Sequence, residues 1–247
     1  MVSLGRQAIW PGASGYFAVV SETAAVSPPL RLRVLPGVWR PHSDATLLAQ
    51  YVSQHELARS RDVLDVFTGS GALALTAARC AARSVTAVDL SRRARLTVAL
   101  NARRAGVRIR ALRGDLFEPV AGEHFDLILA NPPYFPAQAP ASRHGPERAW
   151  SAGPDGRLLV DRLCDGVAEH LRPGGRLLIV HNTITGEDPT RQRLEAHGLA
   201  TEVVRRHRGP LGPVGRAAAR LLRERGSAAP PDDEQEEIVV ISAVREP

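Results

Sequence analysis

The chain of 247 residues carries 32 basic side chains, every one an arginine, against 26 acidic ones, for a formal net charge of +6. Its two cysteines, Cys80 and Cys164, form no CxxC pair, which excludes a disulfide framework and a thiolate zinc site, and no apolar run approaches the roughly 20 residues that a membrane span needs. Aromatic residues at 4% argue against a protein that grips single strands by base stacking.

The first residues are broken by Pro11, Gly12, Gly15 and Glu22 and make a poor signal peptide. A soluble, cytoplasmic protein is expected. No metal is expected either, because none of the eight histidines has HExxH or comparable spacing. Codon bias accounts for the missing lysine, while the basic balance raises the prospect of an anionic or ribosomal partner.

Residues 1–36 alternate short apolar segments with Pro28-Pro29 and read as an N-terminal extension with some strand; 37–247 read as one domain. Ser43 and Asp44 can cap a helix whose apolar face includes Leu47, Leu48, Tyr51 and Val52. Strand-like runs at 63–67, 84–88, 107–112, 125–130 and 176–180 then alternate with helical stretches at 72–82, 92–105 and about 156–171. Short apolar strands alternating with helices indicate a parallel sheet covered on both faces. Residues 199–206 and 237–244 read as two further strands, with an arginine-rich helix near 214–225 and an exposed acidic loop at 228–237 between them. The connection 131–153 holds five prolines and little periodicity, and loops of that length inside compact domains are functional or disordered.

The strand at 63–67 ends in Asp65-Val66-Phe67-Thr68-Gly69-Ser70-Gly71 and passes at once into helix. Glycines at such a turn let the backbone approach a ligand, and the crevice at the strand ends is where these sheets bind. Asp89, eighteen residues beyond Gly71, is placed to accept from ribose hydroxyls. Residues 69–74 also fit the dinucleotide pattern GxGxxG/A. That fit leaves three readings open: an NAD-dependent oxidoreductase, a non-catalytic binding module, or a tight turn with no ligand.

The strand at 125–130 runs straight into Asn131-Pro132-Pro133-Tyr134. With that motif the sequence resembles the class I S-adenosyl-L-methionine-dependent methyltransferases that act on planar nitrogen, and among them the HemK/PrmC-type protein-glutamine methyltransferases. The resemblance implies a Rossmann-like α/β fold over 37–247, with a seven-stranded, mostly parallel sheet whose last strand is antiparallel. An amide or nucleobase NH2 is a poor nucleophile because its lone pair is delocalised. A site must therefore hold it in line with the sulfonium methyl while acceptors satisfy its N–H groups. The resemblance gives those acceptor roles to the Asn131 side chain and the Pro132 carbonyl, and has Tyr134 cover the planar group and Pro133 touch the substrate. The prolines fix φ and stiffen the turn. No general base is implied, since the sulfonium loses its charge on transfer and the proton can leave later.

Further segments carry the resemblance across about 38–182. Val38-Trp39-Arg40-Pro41-His42-Ser43-Asp44-Ala45 is similar to the family's aromatic–Pro–acid–Thr stretch over the cofactor, with Ala45 in place of Thr. Phe67 stands where the family has its first glycine. Gly114-Asp115-Leu116-Phe117 holds the acid that would meet the adenine amine. Ala149-Trp150-Ser151-Ala152-Gly153-Pro154-Asp155-Gly156 resembles the family's stretch after the catalytic loop, and Leu171-Arg172-Pro173-Gly174-Gly175 its turn into the next strand. The implied cofactor residues are Trp39, Asp65, Phe67, Thr68, Gly69, Gly71, Asp89, Leu90, Asp115, Leu116 and Asn131, with Asp65 organising the glycine turn. The implied substrate is a glutamine amide of a peptide-chain release factor; the nearest rivals are a nucleobase amine of RNA or DNA and a small-molecule amine.

Four other features have ordinary structural explanations beside functional ones. His181 and Asn182 end a strand near the cleft and read more readily as structural than as substrate contacts. His42 reads equally well as a surface residue, and Cys80 most simply as core. Arg216, Arg220 and Arg223 fall at i, i+4 and i+7, hence on one helix face, which is either solvated or a docking patch for the substrate, RNA or the ribosome. Seven arginines and one acid occupy 205–225, and eight arginines with no acid occupy 90–114.

Overall fold

The computed structural model describes residues 16–18, 30–136, 152–224 and 235–246. Five strands with apolar side chains on both faces run parallel: β3 (Asp62–Val66), β4 (Ser84–Asp89), β5 (Arg110–Arg113), β6 (Phe125–Ala130) and β7 (Leu171–Asn182). β9 (Gln235–Arg245) inserts antiparallel between β7 and β8 (Leu199–Pro210), which gives the order β5-β4-β3-β6-β7-β9-β8. The last strand is antiparallel, as expected. The strand order reverses between β3 and β6, so a crevice opens at their carboxyl ends.

Alternation along each strand makes two cores. Leu64 and Val66, Ile128 and Ala130, Leu177 and Ile179 face the layer of α4 (Leu158–Val167) and α5 (Glu187–Ala196). Val63, Leu127 and Leu129, Leu178 and Val180 face α1 (Ser43–Gln54), α2 (Ala72–Arg79) and α3 (Arg92–Ala105). Each of the valine, leucine and isoleucine side chains among them contributes roughly 1.5–3 kcal/mol by leaving water. α6 (Pro213–Glu224) adds Ala218 to the first core.

Several element boundaries differ from the sequence reading. The 107–112 strand begins only at Arg110, because Gly106 (φ 68°) ends α3 in a left-handed cap and the Val107 N–H turns back to the Ala102 carbonyl at 3.1 Å. The 72–82 helix stops at Arg79, with Ala81 at φ 57°. The stretch read as 156–171 is a helix over Leu158–Val167 followed by a 3-10 turn at Ala168–His170, and β7 starts at Leu171 rather than 176. β8 extends to Pro210, and β9 takes Gln235 and Glu236 out of the expected acidic loop. α5 was not anticipated: only Thr190 and Leu194 of it are buried, so it offers no apolar stripe to read. Ser43 and Asp44 do not cap α1; His42 is the N-cap and makes no side-chain bond.

β2 (Arg31–Arg33) pairs antiparallel with β1 (Tyr16–Ala18) and packs on the domain. Leu30 and Leu32 bury against Ala72 and Leu75. The Asn101 amide of α3 accepts from the Arg33 N–H (2.9 Å) and donates to the carbonyls of Arg33 (2.8 Å) and Ser70 (3.1 Å). No helix among the described residues is long and apolar enough to cross a membrane.

Candidate functional site

At the crevice, the β3–α2 turn is held from below and from the side. Asp65 is fully buried, and its Oδ2 accepts from the Thr68 hydroxyl (2.6 Å) and the Ala74 N–H (2.9 Å). Asp89 Oδ2 accepts from the Gly69 N–H (2.9 Å), its Oδ1 from the Ser91 N–H (2.8 Å), and the Thr68 N–H donates to the Val88 carbonyl (3.1 Å). The turn needs left-handed backbone at Phe67 (φ 58°), Gly69 (φ 51°) and Gly71 (φ 83°). At Gly71 a Cβ would also meet Val98 Cγ2 at 3.1 Å, so glycine there brings α2 close to α3.

Above this turn lies a cleft of about 970 Å³. Trp39, Phe67 and Leu116 supply apolar wall, and Asp89 and Asp115 bring carboxylates from successive strand ends. Thr68, Gly69, Leu90, Asn131 and Pro133 complete the predicted residues that line it. Asp65 and Gly71 lie beneath the lining and shape the turn. Ala45 also lines the cleft, and the neighbouring Thr46 hydroxyl turns back to the His42 carbonyl (2.9 Å).

The fit to S-adenosyl-L-methionine rests on charge as well as shape. Asp65 Oδ1 is buried with no hydrogen-bond partner. Burial pushes this carboxyl up to about 7, against the opposing pull of the Thr68 and Ala74 bonds, and the nearby Asp89 adds to the rise. Asp65 lies beneath the lining, whereas Asp89 on the cleft wall brings negative charge toward a ligand bearing ammonium and sulfonium charge and retains lone pairs for ribose hydroxyls.

The same burial predicts a pH effect. The folded chain holds a proton on Asp65 up to about 7, whereas the unfolded chain loses it near 3.8, so stability falls as pH rises through that interval. The thermal midpoint of the ligand-free protein should therefore drop between pH 5 and pH 8, and Asp65→Asn should flatten the drop. Equal slopes in the two proteins would refute the assignment.

β6 delivers Asn131 to the cleft half-buried, with no side-chain hydrogen bond among the described residues. Pro132 and Tyr134 are buried and do not line the cleft. The Tyr134 ring packs on Phe135 with centroids 4.7 Å apart, and its hydroxyl donates to Asp44 Oδ2 at 3.0 Å. Burial, and then Asp44, raise this phenol well above its usual range, so it stays a donor to Asp44 and takes no proton from an acceptor. Its carbonyl accepts from the Thr185 hydroxyl (3.1 Å). Glu236 of β9 accepts from Ser43 (3.3 Å) and Asn182 (3.1 Å), and burial together with Asp44 raises its carboxyl. α1 and β9 thus brace the turn from behind.

The two arginine clusters part company. Arg92, Arg93 and Arg113 of the 90–114 cluster line the cleft; Arg216 and Arg220 do not. On α6, Arg216 donates to the Leu211 carbonyl and Arg220 pairs with Glu224 at 2.9 Å. Buried His181 bonds the Asn182 carbonyl through Nδ1 (2.9 Å) and is held neutral, burial lowering it to about 4. His42 is exposed against the Trp39 ring, and Cys80 is half-buried at the core edge.

Three contributors escaped the sequence reading. Asp44 reads from the sequence as a cap and as the acid of the stretch over the cofactor but not as the partner of Tyr134, Glu236 reads as loop, and Arg162, which lines the cleft and pairs with Asp115 (3.0 and 3.3 Å), carries no signal. Their partners lie dozens of residues away, so no local spacing could reveal them.

Comparison with known proteins finds methyltransferases. The family model described as methyltransferase small domain matches residues 31–145. A protein of Methanocaldococcus jannaschii, provisionally named a protein N5-glutamine methyltransferase, is 31% identical over 182 residues, covering 73% of this chain and 90% of that one. The release factor glutamine methyltransferase of Moorella thermoacetica is 34% identical, covering 68% of this chain and 67% of its own. Against its Gloeobacter violaceus namesake, 37% identical, the match spans 59% of the relative's length. Among solved structures, the E. cuniculi Mtq2–Trm112 complex, titled as methylating the eRF1 termination factor, gives a TM-score of 0.60 at 21% identity over 85% of this chain and 99% of that one. The T. thermophilus 16S rRNA N2 G1207 methyltransferase, with AdoMet and guanosine bound, also gives 0.60, at 23% identity over 96% of this chain and 52% of its own. At these identities the structures show the shared fold.

Proposed function

The chain belongs to the class I S-adenosyl-L-methionine-dependent methyltransferases, in the branch that includes the protein N5-glutamine methyltransferases, and from that premise we propose that it methylates the side-chain amide nitrogen of a glutamine in a peptide-chain release factor. The GxGxxG/A fit at 69–74 accordingly belongs to a methyltransferase turn and not to a dinucleotide site. The observation that carries the proposal is Asn131: an unspent amide at the cleft wall, followed by two prolines that fix its backbone.

The bound cofactor supplies an electrophilic methyl on a cationic sulfur. The Asn131 side-chain oxygen accepts an N–H bond of the glutamine amide, which turns its nitrogen toward the methyl. Asp44 holds the Tyr134 hydroxyl and so fixes the ring behind the turn. The nitrogen gains the methyl and releases one proton to water, so no residue has to act as general base. A release factor works in the cytoplasm, where this reading places the enzyme.

The test is transfer from tritiated S-adenosyl-L-methionine to the recombinant release factor and, in parallel, to total RNA. Label on a single glutamine-bearing peptide of the factor is expected. Label confined to RNA, or to small amines in a lysate fraction, would overturn the proposal.

A further inference from the structure

Beyond the residues that line the cleft, the 90–114 segment forms a surface that the catalytic reading leaves unused. Along α3, Arg92, Arg95, Leu96, Ala99 and Arg103 follow at i, i+3, i+4, i+7 and i+11, which places them on one face, and all five are exposed. The stripe runs about 16 Å outward from the cleft, where Arg92 lines the mouth. Arg92, Arg95 and Arg103 make no side-chain hydrogen bond or ion pair among the described residues, and no acid occurs between Leu90 and Gly114.

The apolar residues identify the kind of partner. The large hydrophobic side chains exposed among the described residues are Leu90 (44%), Leu96 (49%) and Leu158 (56%). Leu90 and Leu158 line the cleft mouth, and Leu96 sits one turn along α3 from Arg92. Exposed leucines collected beside unpaired arginines make the apolar centre and charged rim of a protein interface. A polyphosphate chain would use the arginines but gain little from the leucines, and α3 itself carries no aromatic ring for base stacking.

Resting on the glutamine-methyltransferase reading, we infer that this face of α3 docks the intact protein substrate through an acidic surface with an apolar contact on Leu96, while the acceptor glutamine enters the cleft. The cleft would then recognise the glutamine, and α3 would recognise the protein that carries it.

The test compares the intact release factor with a short peptide containing its methylated glutamine. In the variant Arg95→Glu/Leu96→Ser/Arg103→Glu, all three positions lie outside the cleft lining. KM for the intact factor should rise roughly tenfold at low salt, with kcat unchanged, and the wild-type advantage should shrink as salt is added. The peptide's kinetics and the cofactor affinity should stay at wild-type values, which also shows that the variant is folded. A milder variant, Arg95→Gln/Arg103→Gln, should give a smaller rise of the same kind. An unchanged KM for the intact factor, with the peptide still methylated, overturns the docking surface and leaves the glutamine reading standing. Failure of the wild type on both substrates overturns the glutamine reading and the docking surface with it. RNA binding that the variant loses, with KM for the factor unmoved, would assign the face to nucleic acid and overturn the inference.

Discussion

Asn131→Ala should lower kcat for methyl transfer by about 10²- to 10³-fold, the usual loss when one preorganised hydrogen-bonding group is removed from a reacting centre. Stability should hardly change, because the Asn131 side chain has no hydrogen bond among the described residues to forfeit. The loss should appear in kcat: alanine removes the acceptor for an amide N–H, and the acceptor nitrogen then samples orientations away from the methyl. Asn131→Asp keeps an acceptor oxygen and should retain more activity than alanine. Single-turnover rates and cofactor titration separate the two parameters. A defect lying wholly in cofactor affinity would remove Asn131 from the acceptor role.

Gly156→Ala should damage the same turn from outside. Gly156 sits at φ 80°, where an added Cβ would clash with the Tyr134 carbonyl oxygen and lie 3.1 Å from its carbon and 3.3 Å from Pro136 Cδ. Backbone on both sides must shift, because neither neighbour ends in a flexible side chain. We expect a destabilisation of about 1–3 kcal/mol from the strained backbone. An additional rate loss of about 10²-fold should follow from displacing the rigid Pro-Pro turn by an ångström. Gly122→Ala is the control: φ is 76° there too, but nothing lies within 4 Å of the new methyl. It should lose some stability and keep its kcat. Equal activities in the two variants, measured alongside thermal melts, would show that Gly156 does not hold Tyr134.

What could be read from the sequence followed from local demands. The alternation of buried runs and helical stretches reports the sheet because each element must bury its own apolar face, and α5 escaped because it buries only Thr190 and Leu194. Gly69 and Gly71 could be read because left-handed backbone favours glycine; Phe67, at φ 58°, meets the same demand with a bulky side chain that gives no hint of it. Asn131 announced itself by the prolines behind it. Asp44 and Glu236 did not, because an acid in a first helical turn and one in an acidic run each have an ordinary explanation. Their roles depend on Tyr134, 90 residues beyond Asp44, and on Asn182, 54 residues before Glu236. The charge clusters were visible as composition, but only the folded chain shows that one reaches the cleft mouth while the arginines of α6 lie outside the lining.

The Asn101 amide has a consequence for the N-terminal segment. One side chain closes both polar groups of Arg33 and the Ser70 carbonyl, so β2 and the cofactor turn share an anchor. Linkage makes such coupling reciprocal: the free energy by which an ordered turn favours the docked strand equals that by which the docked strand favours the ordered turn. Cleft occupancy that orders this turn should therefore also hold β2 against the domain, although no described residue before Gly37 lines the cleft.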